Sequence, residues 1–330
     1  MRKDLKLIDQ LSEIKIKLRD IRVKLNKGEI YQSVSDELLV IYNKIPVRSS
    51  TIVKPIENSR EQQQMIDEIT TRLIGEPNQP IEDHDLKVIL DQLSSTDDSI
   101  RDHGAFFYLA EAINANSLTD KQLYWMTSYL IEDQQLFNHI FEGQNNGIFG
   151  RSYSILTLSQ LLRHNRVDHI FLDRMIFNRL IDQICVYSLV EKDTRGYVNN
   201  HGWAHAFTHI TDVYNELFRD DQITRADKIL LMATLLTNLG ELKTPLVMGE
   251  IQAIAVALIY IVNRHKLFED FLMKIIKIWR SQMTHMPVDS EENWNRIFNR
   301  NRFFQALWLR EDHLPDEFAE YMSFANDTLT

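Results

Sequence analysis

The chain has 330 residues, 44 % hydrophobic and 25 % charged, a globular composition well clear of the disordered class. With 47 acidic against 37 basic residues the net charge is −10, which argues against a protein whose main work is gripping nucleic acid, because phosphate contacts need clustered Lys and Arg. Cys185, the single cysteine, cannot close an internal disulfide, and the most apolar run, residues 251–262, is 12 residues long and too short to span a bilayer.

The first twenty residues are charged throughout and lack the apolar core of a secretion signal, so a cytoplasmic protein with no membrane partner is expected. Within them Leu7, Leu11, Ile14, Leu18, Ile21 and Leu25 recur at intervals of 4, 3, 4, 3 and 4, the spacing of a coiled-coil seam, and Gly28 follows as a stop. The segment is basic in an acidic chain. Two readings follow: a homodimer through residues 1–27, or a helix packed antiparallel on the next one, "SVSDELLVIYNKI". The stretch 46–60, with Pro46, Pro55 and a serine pair, reads as a connector, so residues 1–80 form an N-terminal helical extension and 81–330 the main domain.

No proline falls between Pro80 and Pro245, which permits consecutive helices, and hairpin signals flanked by alternating apolar residues are missing. The fold class is all-α. Helix-like apolar segments begin near Phe106, Tyr153, His205, Ala253 and Phe303, about 50 residues apart, and each follows another helical pattern. Paired helices at a fixed period suggest stacked antiparallel pairs in a HEAT- or armadillo-like superhelix; an irregular bundle is the alternative.

The least ordinary stretch is "EKDTRGYVNNHGWAHAFTHITDVYNEL" at 191–217. If the helix begins at Gly202, then Trp203, Phe207, Ile210, Tyr214 and Leu217 form its apolar face. His205, His209, Asp212 and Glu216 lie about two residues out of phase, roughly 200° round the helix, as a polar stripe that His201 can join. Two histidines four apart with a carboxylate three further on can converge on a divalent metal, with His205, His209 and Asp212 as ligands of a metal-dependent hydrolase. They can equally form a proton-handling pair, or simply hydrogen-bond to a neighbouring helix. Ala206 stands where zinc proteases of the HExxH type need glutamate, so that mechanism is closed. Upstream, Arg195 and Tyr197 offer a guanidinium and a ring.

A second glycine-rich stretch, "EGQNNGIFGRS" at 142–152, ends in Arg151, placed where an anion could meet free N–H groups. If the helix pairs stack, both stretches meet on one rim. The candidate ligand-binding set is Arg151, Arg195, Tyr197, His201, Trp203, His205, His209 and Asp212, and the favoured function is a binding or scaffold module for a protein partner or a small anionic ligand. Arginines among aromatics at 295–310 read as the polar face of a helix rather than a base-stacking surface.

The run from "STDDSIRDHGAFFYLAEAI" through "FGRSYSILTLSQLL" to "EKDTRGYVNNHGWAHAFTH" resembles a bacterial family catalogued as domain of unknown function 2785. The resemblance rests on Arg195–Val198 (RGYV), Gly202–His205 (GWAH), His209 and Asp212, and spans about residues 85–220. It implies a site at these residues and a domain beginning near 81, and it implies no activity.

Overall fold

The computed structural model describes residues 2–53 and 81–326, with Gln64, Glu68 and Thr71 between them. Residues 54–60 of the expected connector, and the chain on to residue 80 apart from those three, lie outside the described residues. Helices dominate; the described residues add one two-stranded ribbon and one isolated bridge between Arg48 and Glu142. No helix among them is long and apolar enough to cross a membrane.

Contacts divide the chain into two compact units, neither of them a continuous stretch. The first comprises Met1–Pro46, Ile181–Thr194 and Leu217–Thr330; the second comprises Val47–Leu180 and Arg195–Glu216.

In the first unit, α1 (Arg2–Asn26) is the heptad helix, and Leu11, Ile14, Leu18, Ile21 and Leu25 are all buried. What covers them is α2 (Val34–Tyr42) together with a helix some 200 residues further on, Arg225–Glu241. The seam is therefore used inside the protomer, in keeping with its being barely three heptads long. Gly28, with φ +78°, ends α1 in the left-handed conformation that glycine adopts without penalty.

A part-buried ion triad fastens this packing. The Arg22 guanidinium donates in bidentate fashion to Asp227, at 2.7 and 2.9 Å, and through Nη1 to Asp182 at 2.8 Å. Burial pushes the Asp227 carboxyl upward, but hydrogen bonds and charge from Arg22, with help from Asn26 and Thr224, outweigh it and hold it below the usual carboxylate range. Arg296 and Arg300 are likewise paired with Glu241.

The second unit begins with α3 (Asp83–Gln92) and a π-helical turn, Ser99–Phe106, that runs into α4 (Phe107–Asn114). Then come α5 (Asp120–Leu130), started by a capping box of Thr119 and Gln122, the short α6 (Asp133–Leu136), and α7 (Gly147–Val167). The central member is α7, against which α4, α5 and α6 pack. It is buried on nearly every side even though its sequence includes Arg151, Ser152, Ser154, Thr157, Ser159, His164 and Asn165. Three residues tie their hydroxyls to the helix's own turns: Ser154 Oγ donates to Gly150 O, Thr157 Oγ1 to Tyr153 O and Ser159 Oγ to Leu156 O. Thus α7 can be polar in composition and still central.

After α8 (Arg174–Val190) the ribbon forms, β1 (Tyr197–Val198) antiparallel to β2 (Gly202–Trp203), followed by α9 (Ala206–Arg219). The first unit resumes with α10 (Arg225–Glu241), α11 (Glu250–Val262), α12 (Lys266–Met283), α13 (Glu291–Trp308) and α14 (Asp316–Asn326). In it α11 packs on both α12 and α13, and α10 on α2, α12 and α13.

Replacing Arg22 by alanine leaves Asp227 buried without its counter-charge and is expected to cost about 3 kcal/mol in urea unfolding. Because the folded Asp227 pKa is lowered, its contribution is present above about pH 4 and fades as pH falls through the folded value. In Arg22→Ala that acid-side loss should shrink. A destabilisation below about 1 kcal/mol would show that the triad contributes little.

Candidate functional site

The stretch expected to open a helix at Gly202 forms a hairpin instead. Tyr197 pairs with Trp203 and Val198 with Gly202, across a loop of Asn199, Asn200 and His201. Asn200 takes φ +64° and His201 N–H donates to Val198 O at 3.0 Å, the geometry of a three-residue hairpin loop with one left-handed residue. Gly202 also has φ +74°, and a Cβ there would sit 2.8 Å from Asp98 Cβ and 3.1 Å from Arg101 Nη2. Only glycine fits. The helix begins at Ala206, with His205 O accepting from the N–H groups of Thr208 and His209. His205 itself stands at φ +46°, which turns its ring back to within 4.1 Å of Trp203.

Beneath the ribbon lies Arg101, the most consequential side chain of this unit and one that sequence reasoning missed. It is 0 % exposed. Its Nε donates to Asp102 at 2.7 Å, Nη1 to Ser95 O at 2.9 Å and Nη2 to His201 O at 2.7 Å. The guanidinium also lies over the rings of Phe149, at 4.3 Å, and Tyr153, at 4.7 Å. His201 Nδ1 meets Thr96 O at 2.9 Å, so His201 is tied to residues 95–101 through both its carbonyl and its ring. Burial pushes the Tyr153 phenol up, and its hydrogen bond to Asp102 adds to the rise. Nothing in "IRDHGAF" announces this. A π-helical turn, a form often found at functional sites, is also not readable from periodicity.

The other expected cations are placed differently from the reading above. Arg151 does not present a free loop to an anion: α7 has already begun at Gly147, Arg151 is buried, and its Nη1 donates to Asn138 O at 2.7 Å. Arg195 is half-buried and donates to Asn145 O at 2.5 Å, which brings the two glycine-rich stretches together. These guanidiniums hold main-chain carbonyls.

The polar stripe faces α7, in line with the reading that its histidines hydrogen-bond to a neighbouring helix. His209 is only 7 % exposed, with Nδ1 3.2 Å from Ser152 O and its ring edge-to-face with Tyr153 at 5.2 Å. Burial pushes its pKa down to about 3, helped by the neighbouring His205, so it stays neutral. Asp212 is half-buried; burial, with repulsion from Glu216, pushes its carboxyl up to about 6. Glu216 itself pairs with Arg166 of α7 at 2.6 Å. Among the described residues no three His, Cys, Asp or Glu side chains are grouped as a metal requires, and His205, His209 and Asp212 do not form such a set.

Trp203, expected on the buried face, is 41 % exposed, and Tyr197 is 51 % exposed. Their rings meet edge-to-face at 5.2 Å, and His205 continues the row. Behind them Val198 packs on a small core of Ile148, Phe149, Ala204 and Ala206. The exposed feature of the site is thus an aromatic row on a clamped ribbon.

Fold and site define an all-α protein with one aromatic ribbon anchored on a polar central helix. The family described as "Protein of unknown function (DUF2785)" matches residues 136–309, and the chain belongs to that family. The match begins later than the expected start near 85 and continues well past 220: it leaves out Arg101 and takes in α10 to α13. No curated protein and no solved structure matches the chain.

Two sets of variants check this geometry. Gly202→Ala, which combines a left-handed φ with a clash, and His209→Ala, which removes a buried ring packed on Tyr153, should each cost about 2 kcal/mol or more, whereas Trp203→Ala should cost about 1 kcal/mol. Equal losses from Trp203→Ala and His209→Ala in thermal unfolding would contradict the burial described. Asp212→Asn should gain about 2 kcal/mol at pH 8, since the raised folded pKa penalises the ionised form, and nothing at pH 3.5, below the unfolded value. The lowered His209 pKa works the other way, removing stability as pH falls from about 6.5 toward 3. Asp212→Asn should therefore lose stability more steeply than wild type between pH 6 and 4. Parallel pH profiles would refute the raised Asp212 pKa.

Proposed function

We propose that the protein is a binding module whose recognition element is the ribbon at residues 197–203, and that its ligand is another protein. The observation that carries this reading is the pair Tyr197 and Trp203, exposed on a ribbon whose backbone is pinned by Arg101 and His201. Large aromatics are over-represented at the energetic centres of protein interfaces, and a preformed ribbon loses little conformational freedom on binding. A small anionic ligand is the weaker reading at this place, because Arg101 and Arg151 are buried against carbonyls. The metal-dependent hydrolase reading has no three-ligand group to rest on among the described residues.

A HEAT-like stacking of the helix pairs and a cytoplasmic location belong to the same proposal. A homodimer through residues 1–27 does not, because the seam such a dimer would use is covered by α2 and α10.

The test is site-specific photo-crosslinking in the native cell. A photoreactive phenylalanine at position 197 should yield a discrete protein adduct that disappears when Trp203→Ala is added. The same probe at exposed Ile52 should not yield that adduct. Absence of an adduct at 197, or the same adduct from both positions, would sink the proposal.

A further inference from the structure

The first unit contains a cleft of about 570 Å³ where the end of α9, the start of α10, the end of α11 and the start of α12 converge. Its lining includes Arg219, Arg225, Lys228, Arg264 and His265, against a single carboxylate, Asp221. We infer that this cleft binds a small phosphorylated ligand carrying a di- or triphosphate group.

Charge bookkeeping is the first support. The chain is net acidic by ten charges, yet three arginines and a lysine line one concavity. Elsewhere in this unit Arg22 is matched with Asp182 and Asp227, and Arg296 and Arg300 with Glu241, while Arg302 and Arg310 hold main-chain carbonyls. In the cleft Arg225 makes no ion pair among the described residues, and Arg264 donates only to the Tyr260 hydroxyl, at 2.7 Å. Two guanidiniums, those of Arg219 and Arg264, lie over the one Tyr260 ring at 4.2 and 4.5 Å. Gathering like charges costs free energy that an anion would return.

Position is the second. Arg225 is the first residue of α10, where a cation opposes the helix dipole and a carboxylate would be favoured. Two helices start at the cleft and two end there, so their partial charges largely offset one another and the side chains decide the sign. The Lys228 ammonium caps the end of α9 by donating to Phe218 O at 2.9 Å. Burial lowers its pKa and the charge of Arg264 lowers it further, while Asp221 and Asp220 raise it, so an added anion would favour its charged form.

Size and chemistry narrow the ligand. The volume suits a metabolite, and the acidic remainder of the chain repels a long polyanion. Planar guanidiniums on fixed stems match phosphate oxygens, and several of them together match a group with several negative charges. With two guanidiniums already over Tyr260, recognition rests on the phosphates, whether free or attached to a nucleoside.

The experiment is calorimetric titration of the full chain with sodium pyrophosphate, orthophosphate and ATP at low salt and at 0.5 M salt. Pyrophosphate should bind saturably at one site, more tightly than orthophosphate, and more weakly at high salt. Arg225→Ala should weaken it about tenfold and Arg225→Ala with Arg264→Ala by more; Lys44→Ala, an exposed control in the same unit, should leave it unchanged. Arg225 is exposed and opposes the dipole, so its replacement keeps the fold, as an unshifted melting curve would show. ATP binding at the same site with similar affinity supports a phosphate-only reading; ATP binding alone, lost in the double variant, supports a nucleoside source. No saturable heat with any probe, unchanged binding in the double variant, or displacement by a short DNA duplex at lower concentration would overturn the inference.

Discussion

A single buried guanidinium organises the second unit. Burying a charge away from water costs several kcal/mol unless its donors are met. Arg101 meets that requirement with one carboxylate, two main-chain carbonyls and two aromatic faces. Those partners come from three places in the chain: the π-helical turn and the loop before it, the first turns of α7, and the ribbon loop at His201. The donors and face of Arg101 are all met only when the three segments are in register. That coupling turns a short two-stranded hairpin, which would be marginal alone, into a fixed feature. It also explains the glycine at 202, because the close approach of Asp98 and Arg101 leaves no space for a Cβ.

The same logic accounts for the histidines. An isolated amphipathic helix would turn its polar stripe to water, but α9 is buried on more than one face, with Phe207, Ile210 and Tyr214 on one side and His209 on another. A polar group can occupy such a place only when its hydrogen bonds are supplied. Here Ser152 O supplies one for His209, and Arg166 matches Glu216. The outcome is a neutral imidazole and a carboxyl of raised pKa side by side, both set chiefly by burial. Packing polar stripe against polar helix gives α7 and α9 a specific mutual register, which an apolar contact of equal area would leave less defined.

Much of the architecture was legible in the sequence. The 4-3 spacing of Leu11 to Leu25 marked a buried helix face, Gly28 its end, and the proline-free interval from 81 to 244 a helical core. From Phe207 onward the apolar face of α9 was in correct phase. The failure came from carrying that phase back through Gly202, which placed Trp203 on a face that does not yet exist. The signal against it was present in Asn199-Asn200 followed by Gly202, residues that tolerate positive φ and mark a turn. The role of Arg101 was not legible, because its partners lie up to 100 positions away and are mostly main-chain atoms, which carry no side-chain signature. For the same reason the burial of Arg151 could not be read from a neighbouring glycine.

Where the cations are spent separates the two units chemically. In the second, Arg101 and Arg151 are buried against carbonyls, and Arg195 holds one as well. Such bonds order the chain but leave little field for a ligand, so what this unit offers at its surface is aromatic. In the first, the cleft residues Arg225 and Arg264 sit at the surface with no carboxylate bound, close to a lysine whose charge is already penalised by burial. A field of one sign in a concavity is the condition under which an anion is concentrated. These residues are spread from position 219 to 265 with no motif spacing, because four helix ends, and not one loop, bring them together. The proposed anion recognition would follow from how helices terminate at that point, and the proposed partner recognition from how one ribbon is clamped. The two properties can be altered by substitutions that share no residue.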